Sequence, residues 1–138
     1  MMSNQQIRVY HTNMLAIAEH AESIADEGGP RADLLELADI RAQTLEMLGT
    51  YQAYVHRQIF TTAREDAMPE RRKAAEDLKI SCIRVALAYQ SFVLRWPHHE
   101  AVANWTDYRR AVADMAIAVR AHVERWPEEA LLQAMPAA

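Results

Sequence analysis

Four stretches of this chain repeat apolar residues every three to four positions, the period of an α-helix, and none alternates polar with apolar as a half-buried strand does. The clearest stripe runs Trp105, Tyr108, Val112, Met115, Val119, His122 and Trp126. A first helix offers Ile7, Tyr10, Met14, Ile17, Ala21 and Ile24, and a second offers Leu34, Leu37, Thr44, Leu48, Tyr51, Val55 and Ile59. A third offers Leu78, Cys82, Val85, Tyr89, Phe92 and Trp96. Each face has the width that burial against partner helices requires.

Helix breakers separate the stripes. Gly28, Gly29 and Pro30 form the first break, Asp66 to Pro69 the second, and Trp96-Pro97-His98-His99 the third. Glycine tolerates the left-handed end of a helix and proline suits the first turn of the next. Asn104 or Thr106 offers an N-cap for the last helix. The spacing predicts helices over roughly 4–26, 31–65, 70–96 and 104–126, with Pro127 interrupting the last and a short helical piece over 128–135. Short connections make successive helices antiparallel. The expected fold is all-α: one domain over 1–138, an antiparallel up-down-up-down four-helix bundle with a short C-terminal helical segment.

The third helix carries a second apolar face. Ile80, Ile83, Leu87 and Leu94 lie about half a turn from Val85 and Phe92, with Arg84 and Gln90 at the margins. A helix apolar on both sides is covered on both sides. A second copy of the chain supplies one cover, and a twofold homodimer is the expectation adopted. The rival cover is Leu131, Leu132 and Met135 folding back beyond Pro127.

Composition narrows the field. A length of 138 residues allows a single sizeable core. Hydrophobic residues at 51% with only three glycines exclude a disordered chain. A formal net charge of -4 argues against nucleic-acid binding, which needs a basic face; the short run Arg71-Arg72-Lys73 belongs on a solvated surface. The single cysteine, Cys82, excludes an internal disulfide and fits a reducing compartment. Residues 1–6 have no apolar signal core, and no run reaches the roughly 18 apolar residues that span a bilayer. A cytoplasmic protein with no membrane partner is expected.

His122 sits within its stripe and His11 on the shoulder of its own. At about 1.5 Å rise per residue, His11, Tyr51, Val85 and His122 come to similar depth. Two readings stand side by side. His11, Tyr51 and His122 form a weak cation site, strengthened only if a Cys82 thiolate joins. Alternatively His122 is a core histidine bonded to Tyr51 or to a backbone carbonyl. His20 and His56 flank their stripes and should be partly exposed, while His98 and His99, beside Glu100, read as a solvated loop. No stripe carries Asp or Glu, no Ser-His-Asp or Cys-His motif has supporting context, and no glycine-rich phosphate loop is available. With no inward acid-base pair to name, an enzyme is not expected.

Several phrases together carry a family resemblance: Tyr10-His11 with Met14-Leu15, the run from Leu45 to Phe60, and Tyr89-Gln90-Ser91-Phe92-Val93-Leu94-Arg95-Trp96-Pro97. To these add Asn104-Trp105-Thr106-Asp107-Tyr108-Arg109, Ala121-His122-Val123-Glu124-Arg125 and Glu128-Glu129-Ala130-Leu131-Leu132. From about Val9 to Leu132 the chain resembles the hemerythrin-like (HHE cation-binding) four-helix bundles. That family binds oxygen at two irons held by histidines and by carboxylates in His-x-x-x-Glu spacing, four residues apart on one helix face. His11 and His122 match its first- and last-helix histidines. Tyr51 and Val55 stand where the second helix should carry His-x-x-x-Glu, and Trp126 replaces the last-helix glutamate. The third helix offers Cys82, Val85 and Tyr89 and no histidine. The resemblance therefore implies a bundle that has lost its di-iron site, needs no cofactor, and acts as an interaction or ligand-binding protein. The alternative is an iron-binding relative that uses a reduced His11, Tyr51 and His122 site for oxygen or metal sensing or storage.

Overall fold

The computed structural model of the chain describes residues 4–27, 34–57 and 68–127, and these are all-helical, with no strand among them. The helices are α1 (Asn4–Glu27), α2 (Leu34–Val55), α3 (Pro69–Arg95), α4 (His98–Ala103) and α5 (Trp105–Arg125). The expected continuation of the second helix to 65, the cover by Leu131, Leu132 and Met135, the helical piece over 128–135 and the inward place of Ile59 lie outside the described residues. Among the described residues, no helix is long and apolar enough to cross a membrane.

Pro69 opens α3 at its first position, where a missing N–H costs nothing. Both α3 and α5 close with the same tripeptide: Arg95-Trp96-Pro97 and Arg125-Trp126-Pro127. The proline biases the residue before it away from helical ψ. Each tryptophan accordingly leaves the helix, with ψ of 64° at Trp96 and 61° at Trp126. Each still donates its N–H to the carbonyl four residues back, Phe92 or His122, at 3.0 Å. The indoles turn inward and are 6% exposed in both cases. The guanidinium of Arg95 lies 4.3 Å from the Trp96 ring, and that of Arg125 lies 5.9 Å from the Trp126 ring.

The expected loop at His98-His99-Glu100 is instead the first turn of α4. Ala101 explains the difference: it is completely buried, its N–H bonds to Pro97 O at 3.0 Å, and it packs in one cluster with Trp96 and Tyr108. Burying one small side chain there favours a turn of helix over a solvated strand of loop. His99 remains exposed, and His98 is half-buried.

α1 packs most closely on α5 and next on α2, α3 packs on α5, and α4 bridges α5 and α2. The backbones of α2 and α3 approach each other far less. Their seam is instead tied by side chains: the Tyr89 hydroxyl donates to Arg41 O at 3.3 Å and Gln52 Nε2 to Cys82 O at 3.2 Å. The Arg41 guanidinium also donates to Trp96 O.

On α2 from Leu37 onward, and on α3 and α5, the described residues of the predicted stripes are buried or half-buried, while the expected inward places of Ile7 and Leu34 lie outside the described side chains. On α1 the buried line is His11, Met14, Ala18, Ile24 and Ala25, with Tyr10, Ile17 and Ala21 half-buried. The inner face is therefore turned toward His11, because α1 lays its alanines against α5. One cluster gathers Met14, Tyr51, Leu78, Cys82, Val119 and Trp126; a second gathers Ile24, Leu37, Ile40, Trp96, Tyr108 and Val112; Leu48, Val85 and Tyr89 form a third. Ile80, Ile83, Leu87 and Leu94 point away from all three, 42%, 47%, 56% and 81% exposed, so no described residue covers the outer face of α3.

Candidate functional site

His122 projects from the last full turn of α5 into the first cluster and is 3% exposed. Its Nε2 lies 3.1 Å from the Tyr51 hydroxyl of α2, and its Nδ1 lies 2.7 Å from the Ser81 hydroxyl of α3. A neutral imidazole has one N–H and one lone pair, so one hydroxyl accepts while the other donates. The Tyr51 ring meets the imidazole edge-on, with centroids 5.8 Å apart at 87°. His11, also buried, lies with its ring 6.2 Å from that of Tyr51. Tyr10 packs on Tyr51 from the other side at 5.6 Å.

The surroundings favour the neutral forms of His122, Cys82 and Tyr51. Burial, and then the nearby His11, push the His122 imidazole down to about 4. Burial pushes the Cys82 thiol up to about 12. Burial also raises the Tyr51 phenol, with the Cys82 thiol adding to the effect. Taking charge out of water into an apolar interior explains all three directions.

The structure thus brings Tyr51 and His122 into contact and places His11 beside Tyr51. At the depth of the imidazole, α3 presents Ser81 and Cys82, a turn earlier than Val85, which packs instead with Leu48 and Tyr89. His20 and His56 are exposed. These donors do not fit a pair of irons. Bridging two metals takes carboxylates, and the buried polar or charged residues among those described are His11 and His122 alone. No three of His, Cys, Asp and Glu gather in a metal-holding group among the described residues.

A second polar feature lies at the opposite end. The Arg41 guanidinium of α2 lies beside the paired rings of Phe92 and Tyr108, 5.8 and 5.9 Å from their centroids. It donates to Trp96 O, where the end of α3 leaves a carbonyl open. Its Nε is buried and has no hydrogen-bond partner among the described residues. Arg41 and Tyr89 also line an apolar cavity of about 60 Å³ in the centre of the molecule, between Met14, Leu48, Val112 and Ala116. On the outside of the α2–α3 seam the same two residues line a groove of about 430 Å³ with Leu45, Val93 and Leu94.

Sequence reasoning missed Ser81 and Arg41. A serine inside a helix usually points to solvent or bonds its own backbone, so Ser81 beside Leu78 and Cys82 carries no signal of a partner across the core. Arg41 occupies the step between Leu37 and Thr44 on the inward face of α2, where a long apolar residue would continue the stripe.

Comparison of the chain with protein-family models, with characterised proteins and with solved structures finds no match.

Proposed function

We propose that this protein is a non-catalytic, hemerythrin-like binding protein, an antiparallel up-down-up-down four-helix bundle that acts through contacts and not through chemistry. One observation carries the reading: both ring nitrogens of His122 are engaged by hydroxyls, Tyr51 on one side and Ser81 on the other, inside an apolar core. A ring held that way has no lone pair to offer a metal, and one that resists protonation is a poor general base near neutral pH. The tetrad of His11, Tyr51, Ser81 and His122 then serves as a structural network in the place where relatives of this architecture keep irons.

Elemental analysis of protein purified without chelator tests this. We expect far less than one metal per chain and a His122 imidazole that titrates near 4 by nuclear magnetic resonance. Iron near stoichiometry, with a visible oxo-bridge band, overturns it in favour of the second reading, a cation site built on His11, Tyr51 and His122. The 6.2 Å approach of the His11 and Tyr51 rings is the observation on that side.

The outer face of α3 supports a homodimer as part of the same proposal, and the single cysteine supports a reducing, cytoplasmic setting for it. Ile80, Ile83, Leu87 and Leu94 form a contiguous exposed apolar strip. Burying such side chains is worth about 1.5–3 kcal/mol each against the cost of association. Light scattering on the full chain and on Leu87→Glu decides. A dimer that becomes a folded monomer supports the interface; a monomeric wild type removes it.

A further inference from the structure

We infer that the central cavity is a binding site for a small aliphatic carboxylate, its alkyl body inside the molecule and its head on the Arg41 guanidinium at the α2–α3 seam. The inference deepens the proposed binding role and rests on it.

The cavity walls are almost wholly apolar: Met14, Ala18, Leu48, Val112 and Ala116, contributed by α1, α2 and α5. Small side chains help to create the space, since Ala18 of α1 and Ala116 of α5 both line it and share one buried cluster. At about 60 Å³ it is well below the roughly 150 Å³ that admits benzene to an engineered apolar cavity. A chain of a few carbon atoms fits that space; an aromatic ring does not.

The head group follows from Arg41. Its charge is partly buried, and among the described residues no ion pair with a carboxylate engages it. The rings of Phe92 and Tyr108, a side-chain hydrogen bond with Tyr108 and the carbonyl of Trp96 satisfy part of the guanidinium. Nε is left over, buried and without a partner among the described residues. A planar guanidinium with open N–H groups takes a carboxylate in two parallel hydrogen bonds. His98 stands close enough for the Arg41 charge to depress its imidazole further than burial alone does, and its Nδ1 is likewise buried with no partner among the described residues. Two buried nitrogens without partners among the described residues, one of them within reach of the other's charge, mark a place where an anionic oxygen fits.

The route in is the seam. Arg41 and Tyr89 line both the inner cavity and the outer groove, so they alone among the lining residues belong to both. They are tied by the bond from the Tyr89 hydroxyl to Arg41 O at 3.3 Å, long for a hydroxyl donor. α2 and α3 are joined there by side chains and not by close backbone packing, so rotation of one phenol and one guanidinium opens the way.

The test uses the full chain, with butyrate as the probe and butylamine and benzoate as controls, followed by thermal shift and by methyl resonances of the cavity-lining methionines and alanines. Butyrate should stabilise the protein saturably and shift the Met14, Ala18 and Ala116 methyls, while butylamine and benzoate do neither. Arg41→Met should weaken butyrate binding by about ten- to a hundredfold, the range for a hydrogen bond to a charged group. Ala116→Leu, which fills the cavity and leaves Arg41 in place, should abolish it. Equal response to butyrate and butylamine, shifts confined to surface residues, or unaltered binding in either folded variant overturns the inference. Retained neutrality of His122 together with a failed butyrate titration leaves the non-catalytic core standing and sinks the carboxylate site alone.

Discussion

The two ends of this molecule are built alike and finished differently. At each, a long helix stops at Arg-Trp-Pro and turns its indole into the core, Trp126 at one end and Trp96 at the other. Beneath Trp126 lies an imidazole with a hydroxyl on each nitrogen; beside Trp96 lies a guanidinium with a nitrogen to spare. A polar group that is buried and fully satisfied holds a core in register. One that is buried and incompletely satisfied holds free energy available to whatever completes it. The His122 imidazole is therefore read as structure and the Arg41 guanidinium as recognition, while the Trp126 indole nitrogen shares with Arg41 Nε a buried place without a hydrogen-bond partner among the described residues.

The largest expected effect probes what the ends share. Trp126→Ala and Trp96→Ala should each destabilise the fold by about 3–5 kcal/mol, the usual range for truncating a buried aromatic. Urea titration checks both, and a loss below about 1 kcal/mol at either position would break the likeness of the two ends.

Next in size is the response to acid, which should belong to the imidazole end. Between the ordinary histidine value of 6.5 and about 4, the unfolded chain takes up a proton that folded His122 refuses. Stability from this group is complete above pH 6.5, falls as the pH drops toward 4, and then levels. The loss amounts to about 3 kcal/mol at 1.36 kcal/mol per pH unit. His122→Leu should flatten that slope, and an unchanged slope in the variant would assign the acid response elsewhere. Tyr51→Phe should cost about 1–3 kcal/mol, the penalty of leaving a buried ring nitrogen without its hydroxyl.

At the arginine end the corresponding change should be small. Arg41→Met gives up cation–π contacts worth about 0.5–1 kcal/mol each at exposed sites and the bond to Trp96 O, worth about 1.5–3 kcal/mol as a charged hydrogen bond. It also relieves a half-buried charge that costs a similar amount, so stability should move by no more than about 1 kcal/mol. A loss as large as that of Tyr51→Phe would make Arg41 a structural anchor and erase the contrast. Gly49→Ala supplies the baseline. An added methyl group there meets nothing within 4 Å, and alanine in a helix interior should gain up to about 1 kcal/mol.

Much of this arrangement is legible in the sequence, for definable reasons. The stripes of α3 and α5 are read correctly because their buried residues are large and regularly spaced. The inward turn of α1 toward His11 escapes notice because Ala18 and Ala25, which face α5, carry little hydrophobic signal. α4 is hidden because one alanine, Ala101, decides it. The contact of His122 with Tyr51 follows from depth along two helices, whereas Ser81 does not, since a serine flanking a stripe looks like surface. Arg41 is overlooked because periodicity registers apolar residues, and its cation interrupts the stripe at the position where α2 meets the cavity.

The side-chain lacing of α2 to α3 carries a consequence for how the molecule breathes. Local openings start where few buried apolar contacts resist them and spread last to the most closely packed pair. Amides of α1 and α5 should therefore exchange their hydrogens only when the whole chain unfolds. Those of α2 facing Tyr89 and Cys82 of α3 exchange earlier, through excursions that part the seam and leave the rest intact. The protein holds a permanent spine of two helices and a hinged wall, and solvent meets its interior through that wall long before it unfolds.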